Sequence, residues 1–503
     1  MASAPVGRLG HIGRGGMSVS EGPLAFDGEQ PQMRRLAVLT IVGILAALPI
    51  TAHATAGDPP CPPGSSPDPS GLACVLANKA TTGVTAQTSA AQTEAAVAQQ
   101  ESSWLGQALE LQHHLGDALP WRDAMWVGTH NSFNTVANVP PSLSNTDSNQ
   151  HVSLVDQLRL GVRGIEVDVH WAPSVWAGGA KSPVVCHGRP PSEFNIGCTD
   201  ERLLPDELKP VGDWLRAPEH RSDVILLYLE DNIDEAAGFE ASAAAIQQAI
   251  GDLVYAPPSA APCALLPLSL RRADVLAAGK QVVIMSGCGG ASTGASTWRS
   301  TVFDDSVRSE EGNPAFAGYP ACTSPSVSAG DYGTKLVRFY EDSTFVSAAV
   351  GGGDPGHRLT VATITDMVRC GVNLFGLDQL NPSDPRLDAM VWSWAPNESL
   401  AATPGSCAFD GADGRFHVAG CTQRSLRFAC VVPATGEWFV TAKSGAQRDG
   451  VKACAHERAG AAFAVPGSGA HAQRLVDAKA AAGVTDVWLA YSVVAGAWKS
   501  VAA

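Results

Sequence analysis

From Trp121 onward the sequence alternates apolar runs of strand length with helical patterns, and this rhythm restricts the fold more than any other feature. "AMWVGT", "GIEVDVH", "PVVCH", "VILLYLE", "QVVIMSG" and "VNLFGLD" are each closed by a Gly, Pro or polar break, as strands are. Between them, "SLVDQLRLG" sets Leu154 and Leu158 four apart behind a Ser153-x-x-Asp156 cap. "TVATITDMVRCG" ends in Arg369 and Gly371, a helix stop. Strand and helix alternating over roughly 260 residues is the α/β signature of a (β/α)8 TIM-type barrel. Two middle strands are hard to locate in the loop-rich region from Ser286 to Gly333. A doubly wound open sheet is the alternative, but no Gly-rich phosphate loop follows a strand.

The chain has 503 residues, enough for two domains with appendages, and 45% hydrophobic with 17% charged residues describes a globular protein. Its net charge of −15 argues against a nucleic-acid partner, and a phosphate-bearing substrate would need a cation or a local basic patch. Residues 1–54 read as a signal peptide whose pattern starts at Met33: two arginines, an apolar run from Leu36 to Ile50, then Ala52-His53-Ala54. The run is shorter than a bilayer span, which favours cleavage and secretion over a retained anchor. All 12 cysteines lie beyond Ala54 and none forms a CxxC pair, so disulfides are expected rather than zinc. Residues 55–118 hold a Pro/Gly/Ser-rich loop closed by Cys61 and Cys74, then an Ala/Thr/Gln-rich stretch that reads as a surface helix or spacer. Residues 119–391 form the expected barrel, and 392–503 a smaller disulfide-bonded mixed α+β domain.

Polar residues punctuate the apolar runs: His130 and Asn131 end the first, Glu166 and Asp168 lie in the second, His187 ends the third and Glu230 the fourth. Two residues apart on a strand, Glu166 and Asp168 face the same side, and they repel unless a cation lies between them. Oxygen donors from Asn131, Glu166, Asp168 and Glu230 suit calcium, with magnesium the second choice. The two histidines are then left to move protons. Taken singly, each is ordinary: a hydrogen-bonded histidine, a solvated Glu-x-Asp face, the start of a polar loop. Their common position at the C-terminal ends of consecutive strands, where barrels keep their chemistry, favours a site. Cys186 beside His187 invites a nucleophile reading, but neighbours on a strand point oppositely, and a disulfide to Cys198 suits an exported chain.

The blocks "GTHNSFN", "LGVRGIEVDVHW", "PVVCHGRP" and "VILLYLEDN" resemble the catalytic X region of calcium-dependent phosphoinositide-specific phospholipases C. The resemblance covers about Trp121 to Asp231 well and the rest of the barrel loosely. It implies acid/base roles for His130 and His187, and calcium ligation by Asn131, Glu166, Asp168 and Glu230. "LVRFYEDST" resembles the family's substrate-binding Arg-x-Tyr, which implies head-group contacts from Arg338 and Tyr340; otherwise Arg338 beside Glu341 and Asp342 is a surface ion pair. Asp378, closing "NLFGLD", either orients a catalytic group or caps a loop. The implied activity is a secreted phosphoric diester hydrolase that cleaves phosphatidylinositol at a membrane surface to diacylglycerol and a cyclic inositol phosphate. A sphingomyelinase D-like or glycerophosphodiesterase-type enzyme, or an inactive barrel used for adhesion, are the alternatives.

After about Met390, "VWSWAPNES" through "GRFHVAGCTQRSLRFAC" resembles the closing half of a C-type lectin-like domain, and "DGVKACAHERAGAAFAVP" through "VWLAYSVVAGAW" its opening half, in permuted order. This implies pairings Cys407 with Cys421 and Cys430 with Cys454, and a cell-surface or carbohydrate ligand, although the sugar-binding calcium motifs are not intact. A plain β-rich disulfide-bonded domain is the other reading.

Overall fold

The computed structural model describes residues 65–67, 74–76, 83–135, 137, 148–186, 202–259, 261–288, 295–312, 315–342, 358–422 and 425–501. The expected signal segment, Cys61, His187 and Cys198 lie outside these residues. A small antiparallel ribbon pairs β1 (Ser65–Pro67) with β2 (Cys74–Leu76). The Ala/Thr/Gln-rich stretch is helical from Gly83 to Ser102, and a second helix, Trp104–Leu115, is capped by Ser103 accepting from the Gly106 N–H. This second helix is no spacer. It buries Ala108, Leu109 and Gln112, and the Gln112 amide takes the N–H groups of Trp392 and Ser393 while donating to the Met390 carbonyl.

The apolar run around Glu166 forms β3 (Gly164–Pro173), and the next run, β4 (Lys181–Val185), folds back antiparallel on it. "PVVCH" was expected as a parallel stave; the connection through Gly178 and Gly179, both at positive φ, is too short for a helical crossover and long enough only for a hairpin. On the other side of β3 lie β5 (Ile225–Asn232), β6 (Val282–Ser286) and β7 (Phe303–Asp304), all parallel. A second parallel arc contains β8 (Arg308–Glu311), β9 (Leu336–Tyr340) and β10 (Leu374–Gly376). Strands β7 and β8 are the two middle elements that the loop-rich sequence concealed.

"AMWVGT" is an extended segment with isolated bridges rather than a regular strand: Trp126 pairs with Leu374, Gly128 with Gly164 and Thr129 with Leu377. It joins the two arcs. Among the described residues no ladder links β7 to β8, so the hydrogen bonds draw two arcs of an α/β fold with mixed sheets rather than a closed eight-stranded ring.

Alternation along the strands separates two environments. Ile165, Val167, Val169, Leu227, Leu229, Ile284, Val337 and Phe339 pack outward against the helices. Leu226, Tyr228, Val283, Met285, Leu336 and Leu374 face the other way and form a second core with Trp121 and Trp126. Further along those same inward faces the residues turn polar: Asp168 after Glu166, Glu230 after Tyr228, Tyr340 after Arg338. The apolar floor therefore supports a polar layer at the C-terminal strand ends.

Helices follow their sequence signals. Leu154–Arg159 starts at Ser153, which accepts from the Asp156 N–H, and Val361–Cys370 starts at Thr360 and ends at Gly371 with φ +91°. Gly128 is required by close approach: a Cβ there would lie 2.2 Å from the Phe375 carbonyl oxygen. Gly128→Ala is therefore expected to lower the urea unfolding free energy by about 2 kcal/mol or more, the cost of forcing backbone apart in a packed core.

The C-terminal region belongs to the same compact unit, Ala52–Ala503. Its sheet contains β11 (Ser406–Asp410), β12 (Phe416–Gly420), β13 (Arg427–Val432), β14 (Glu437–Val440), β15 (Ala462–Phe463), β16 (Val487–Val494) and β17 (Ala497–Ser500). The main order is β12-β11-β16-β13-β14, with β15 on β13 and β17 on β16. Cys407 bonds Cys421 and Cys430 bonds Cys454, the two pairings the lectin-like resemblance implied. Two further disulfides, Cys263–Cys288 and Cys322–Cys370, lie in the preceding region. Cys186 is also disulfide-bonded, which removes the thiol from any nucleophilic role.

Candidate functional site

Three carboxylates come together on neighbouring strands. Asp168 and Glu230 are register partners across β3 and β5, and Glu166 sits one pleat below. One oxygen from each of Glu166, Asp168 and Glu230 lies within 4.8 Å of the others; the first two are buried and Glu230 is exposed. Burial, then the charges of Glu230 and Glu166, push the Asp168 carboxyl well above the usual range.

Asn131 completes the cluster. It follows His130 in a left-handed turn, φ +43°, a conformation asparagine tolerates. Its amide approaches the two Asp168 oxygens at 3.1 and 3.3 Å. Turned one way it donates to the carboxylate; turned the other, its oxygen joins theirs around a cation. A buried polar frame fixes this turn. Ser132 Oγ accepts from the Glu166 N–H at 2.9 Å, Thr129 Oγ1 donates to Gln157, and Gln150 Nε2 donates to the carbonyls of His130 and Leu377 at 2.7 and 2.8 Å.

His130 Nδ1 lies 3.3 Å from Oδ1 of Asp378, two residues past the end of β10, and Asn149 Nδ2 donates to the same oxygen at 3.0 Å. Asp378 thus holds the His130 ring rather than only capping a loop. Burial disfavours the charged imidazole, but the Asp378 and Glu166 carboxylates outweigh it and raise the His130 pKa to about 9. The His130 ring sits 5.2 Å from the Tyr340 ring, and Gly376 makes the room: a Cβ there would meet Tyr340 Cβ at 2.7 Å.

Arg338 is not a surface residue paired with Glu341 or Asp342. It is buried, donates to Glu166 Oε2 at 2.5 Å and to Glu310 at 2.9 Å, and lies 4.5 Å over the Tyr340 ring. Glu310 also holds Arg308, whose guanidinium covers Tyr228 at 4.1 Å. Arg338 and Tyr340 therefore border the carboxylates from the β9 side. Arg338 offsets one of the three negative charges, and the two left over match a divalent ion. The donors are all oxygen, which suits calcium or magnesium and not zinc.

A second group with ligand-like spacing, Glu110, His114 and Asp223, lies at the opposite strand ends. Its members already bond one another's neighbours: Arg163 bridges Glu110 and Asp223, and Asp117 holds His114. It needs no ion.

The structure thus brings together His130, Asn131, Glu166, Asp168, Glu230, Arg338 and Tyr340, while His187 lies outside the described residues. The sequence reading did not include His170, which continues the Glu166–Asp168 face and is fully buried. The period of two that paired the carboxylates carried this signal too. Asn149, Tyr228, Arg308 and Glu310 left no motif.

A floor of apolar side chains under a polar layer at the strand ends, opening on a histidine–aspartate pair beside clustered carboxylates, defines a PI-PLC-like catalytic domain. The chain belongs to the Rv2075c PI-PLC-like domain family, whose model matches residues 87–384. It is 36% identical over 481 residues to the uncharacterized proteins MT2135 and Rv2075c of Mycobacterium tuberculosis, covering 88% of this chain and 96% of each relative. Among solved structures it is similar to a phosphatidylinositol-specific phospholipase C from Listeria monocytogenes, with 14% identity, TM-score 0.34, 55% of this chain and 94% of that one. A calcium-dependent phosphoinositol-specific phospholipase C from a Pseudomonas species gives 14% identity, TM-score 0.31, 54% of this chain and 95% of that one.

Proposed function

We propose that the chain is an exported calcium-dependent phosphodiesterase that cleaves phosphatidylinositol to diacylglycerol and a cyclic inositol phosphate. The observation that carries this reading is the convergence of Glu166, Asp168 and Glu230 beside Asn131 and the His130–Asp378 pair. Asn131, Glu166, Asp168 and Glu230 would hold the ion. Calcium bound there would lower the pKa of a coordinated hydroxyl and offset charge growing on phosphorus.

The chain's own groups supply the rest. Glu230, the solvent-open carboxylate, takes the proton from the inositol hydroxyl next to the phosphate, and that oxygen attacks phosphorus. His130, fixed by Asp378, donates to a phosphoryl oxygen. His187 protonates the glycerol oxygen as its bond to phosphorus breaks, releasing diacylglycerol. Arg338 and Tyr340 border the head group. A barrel closed around this centre, as in the parallel-barrel class, is the complete form of the fold in this reading. Export is supported by the disulfide-rich chain, since such bonds persist in oxidising compartments.

Phosphatidylinositol vesicles incubated with the protein, with and without a calcium chelator, test this by phosphorus NMR. A cyclic inositol phosphate signal that needs calcium is the expected result. A ceramide phosphate signal when sphingomyelin is included in the vesicles, glycerol phosphate products, or no product at all would overturn it.

A further inference from the structure

Asp378 is held by more than its own side-chain bonds. Its backbone N–H donates to Glu341 Oε2 at 2.6 Å, and its carbonyl accepts from Arg386 Nη2 at 2.6 Å. Glu341 and Arg386 close the clamp, Arg386 Nη1 donating to Glu341 Oε2 at 2.5 Å. Arg386 is fixed in turn by a fork on Asp384, through Nε at 2.9 Å and Nη2 at 2.6 Å. The second Glu341 oxygen accepts from the Leu359 N–H at 2.6 Å, at the entrance to the helix Val361–Cys370. Glu341, Asp384 and Arg386 are all buried.

Such a cluster is a poor way to gain stability alone. Desolvating a guanidinium and two carboxylates costs about as much as their attraction returns, and apolar side chains of similar volume would serve packing as well or better. What the cluster does provide is geometry. The N–H before the Asp378 Cα and the carbonyl after it, one from each of two successive peptide units, are gripped by charged partners, so the Asp378 side chain leaves the backbone at a fixed point and angle. Asp378 Oδ1 then meets His130 Nδ1, from a segment 248 residues away in the chain. A fork-shaped guanidinium is the side chain suited to this, since it bonds Asp384, Glu341 and the Asp378 carbonyl in one plane.

We infer that Glu341 and Arg386 are positioning residues for the His130–Asp378 pair, setting the orientation of His130 toward the reacting phosphate without touching substrate. This rests on the phosphodiesterase reading for its effect on rate, but its structural part stands independently.

The test uses full-length Glu341→Gln, Arg386→Lys and Asp384→Asn variants. Two readouts are compared. In the substrate-free protein, the Nδ1–H proton of His130 bonded to Asp378 gives a far-downfield resonance, identified by its loss in Asp378→Ala. On phosphatidylinositol vesicles, kcat and KM are measured separately. Expected results are a weakened or lost resonance and a ten- to hundredfold lower kcat with KM within twofold for Glu341→Gln and Arg386→Lys, and a smaller effect for Asp384→Asn. Folded variants with an unchanged resonance and unchanged kcat would overturn the inference, and so would unfolding of all three, which would make the cluster purely structural. Should the parent protein cleave no lipid, the phosphodiesterase reading fails while the resonance still decides whether the clamp orients His130.

Discussion

His130→Ala is expected to lower cleavage of phosphatidylinositol by about a thousandfold, within the range lost when a positioned proton-transfer or phosphate-contacting group is removed. The protein should remain folded. The turn carrying His130 is fixed through its backbone, by Gln150 on the His130 carbonyl and by the His130 N–H on the Leu377 carbonyl at 3.0 Å, and neither bond involves the ring. Removing the imidazole does leave Asp378 with one partner fewer, but Asn149 still donates to it. The check is paired: initial rates on vesicles, and a thermal unfolding curve for the same preparation. A variant that keeps more than a tenth of the parent rate would remove His130 from the mechanism.

Asp168→Asn is expected to move activity and stability in opposite directions. Asp168 is buried among like charges, so the native state without an ion carries repulsion that the amide removes. In chelator, the variant should unfold at the same temperature as the parent or higher. In calcium the order reverses. An ion that binds only the folded parent stabilises it by about 2.7 kcal/mol at a hundredfold excess over its Kd, and the variant should gain little of this. Its vesicle activity should fall at least a hundredfold, because the remaining donors Asn131, Glu166 and Glu230 no longer leave two negative charges beside Arg338. A merely structural carboxylate would behave otherwise: its loss would destabilise the protein equally with and without calcium.

Much of this centre is legible in the sequence because strand periodicity is local. Glu166 and Asp168 can be placed on one face from their spacing, and Glu230 beside Asp168 once two neighbouring strands are aligned. Residues joined only by tertiary packing cannot be read this way. The surface ion pair with Glu341 and Asp342, weighed as the alternative to a head-group contact for Arg338, fails because Arg338 reaches across the interior to Glu166, while Glu341 pairs with Arg386. The alternation rule that separated Glu166 from Val167 also separates Arg338 from Glu341, which lie three apart at the end of β9 and so face opposite ways.

The missed topology has equally specific causes. The hairpin from β3 to β4 was hidden behind an apolar run that looks like any other stave, although its glycine-bearing connection is too short for a crossover. Strands β7 and β8 pair over too few residues to show periodicity. Cys263–Cys288 and Cys322–Cys370 could not be read, since cysteine spacing does not determine connectivity.

Calorimetric titration of calcium into chelator-stripped protein tests most directly whether the strand-borne carboxylates form one divalent site. One saturable ion per chain is the predicted result, abolished in a Glu166→Gln, Asp168→Asn double variant that still folds. No saturable binding by the parent, or binding that the double variant retains in full, would contradict it.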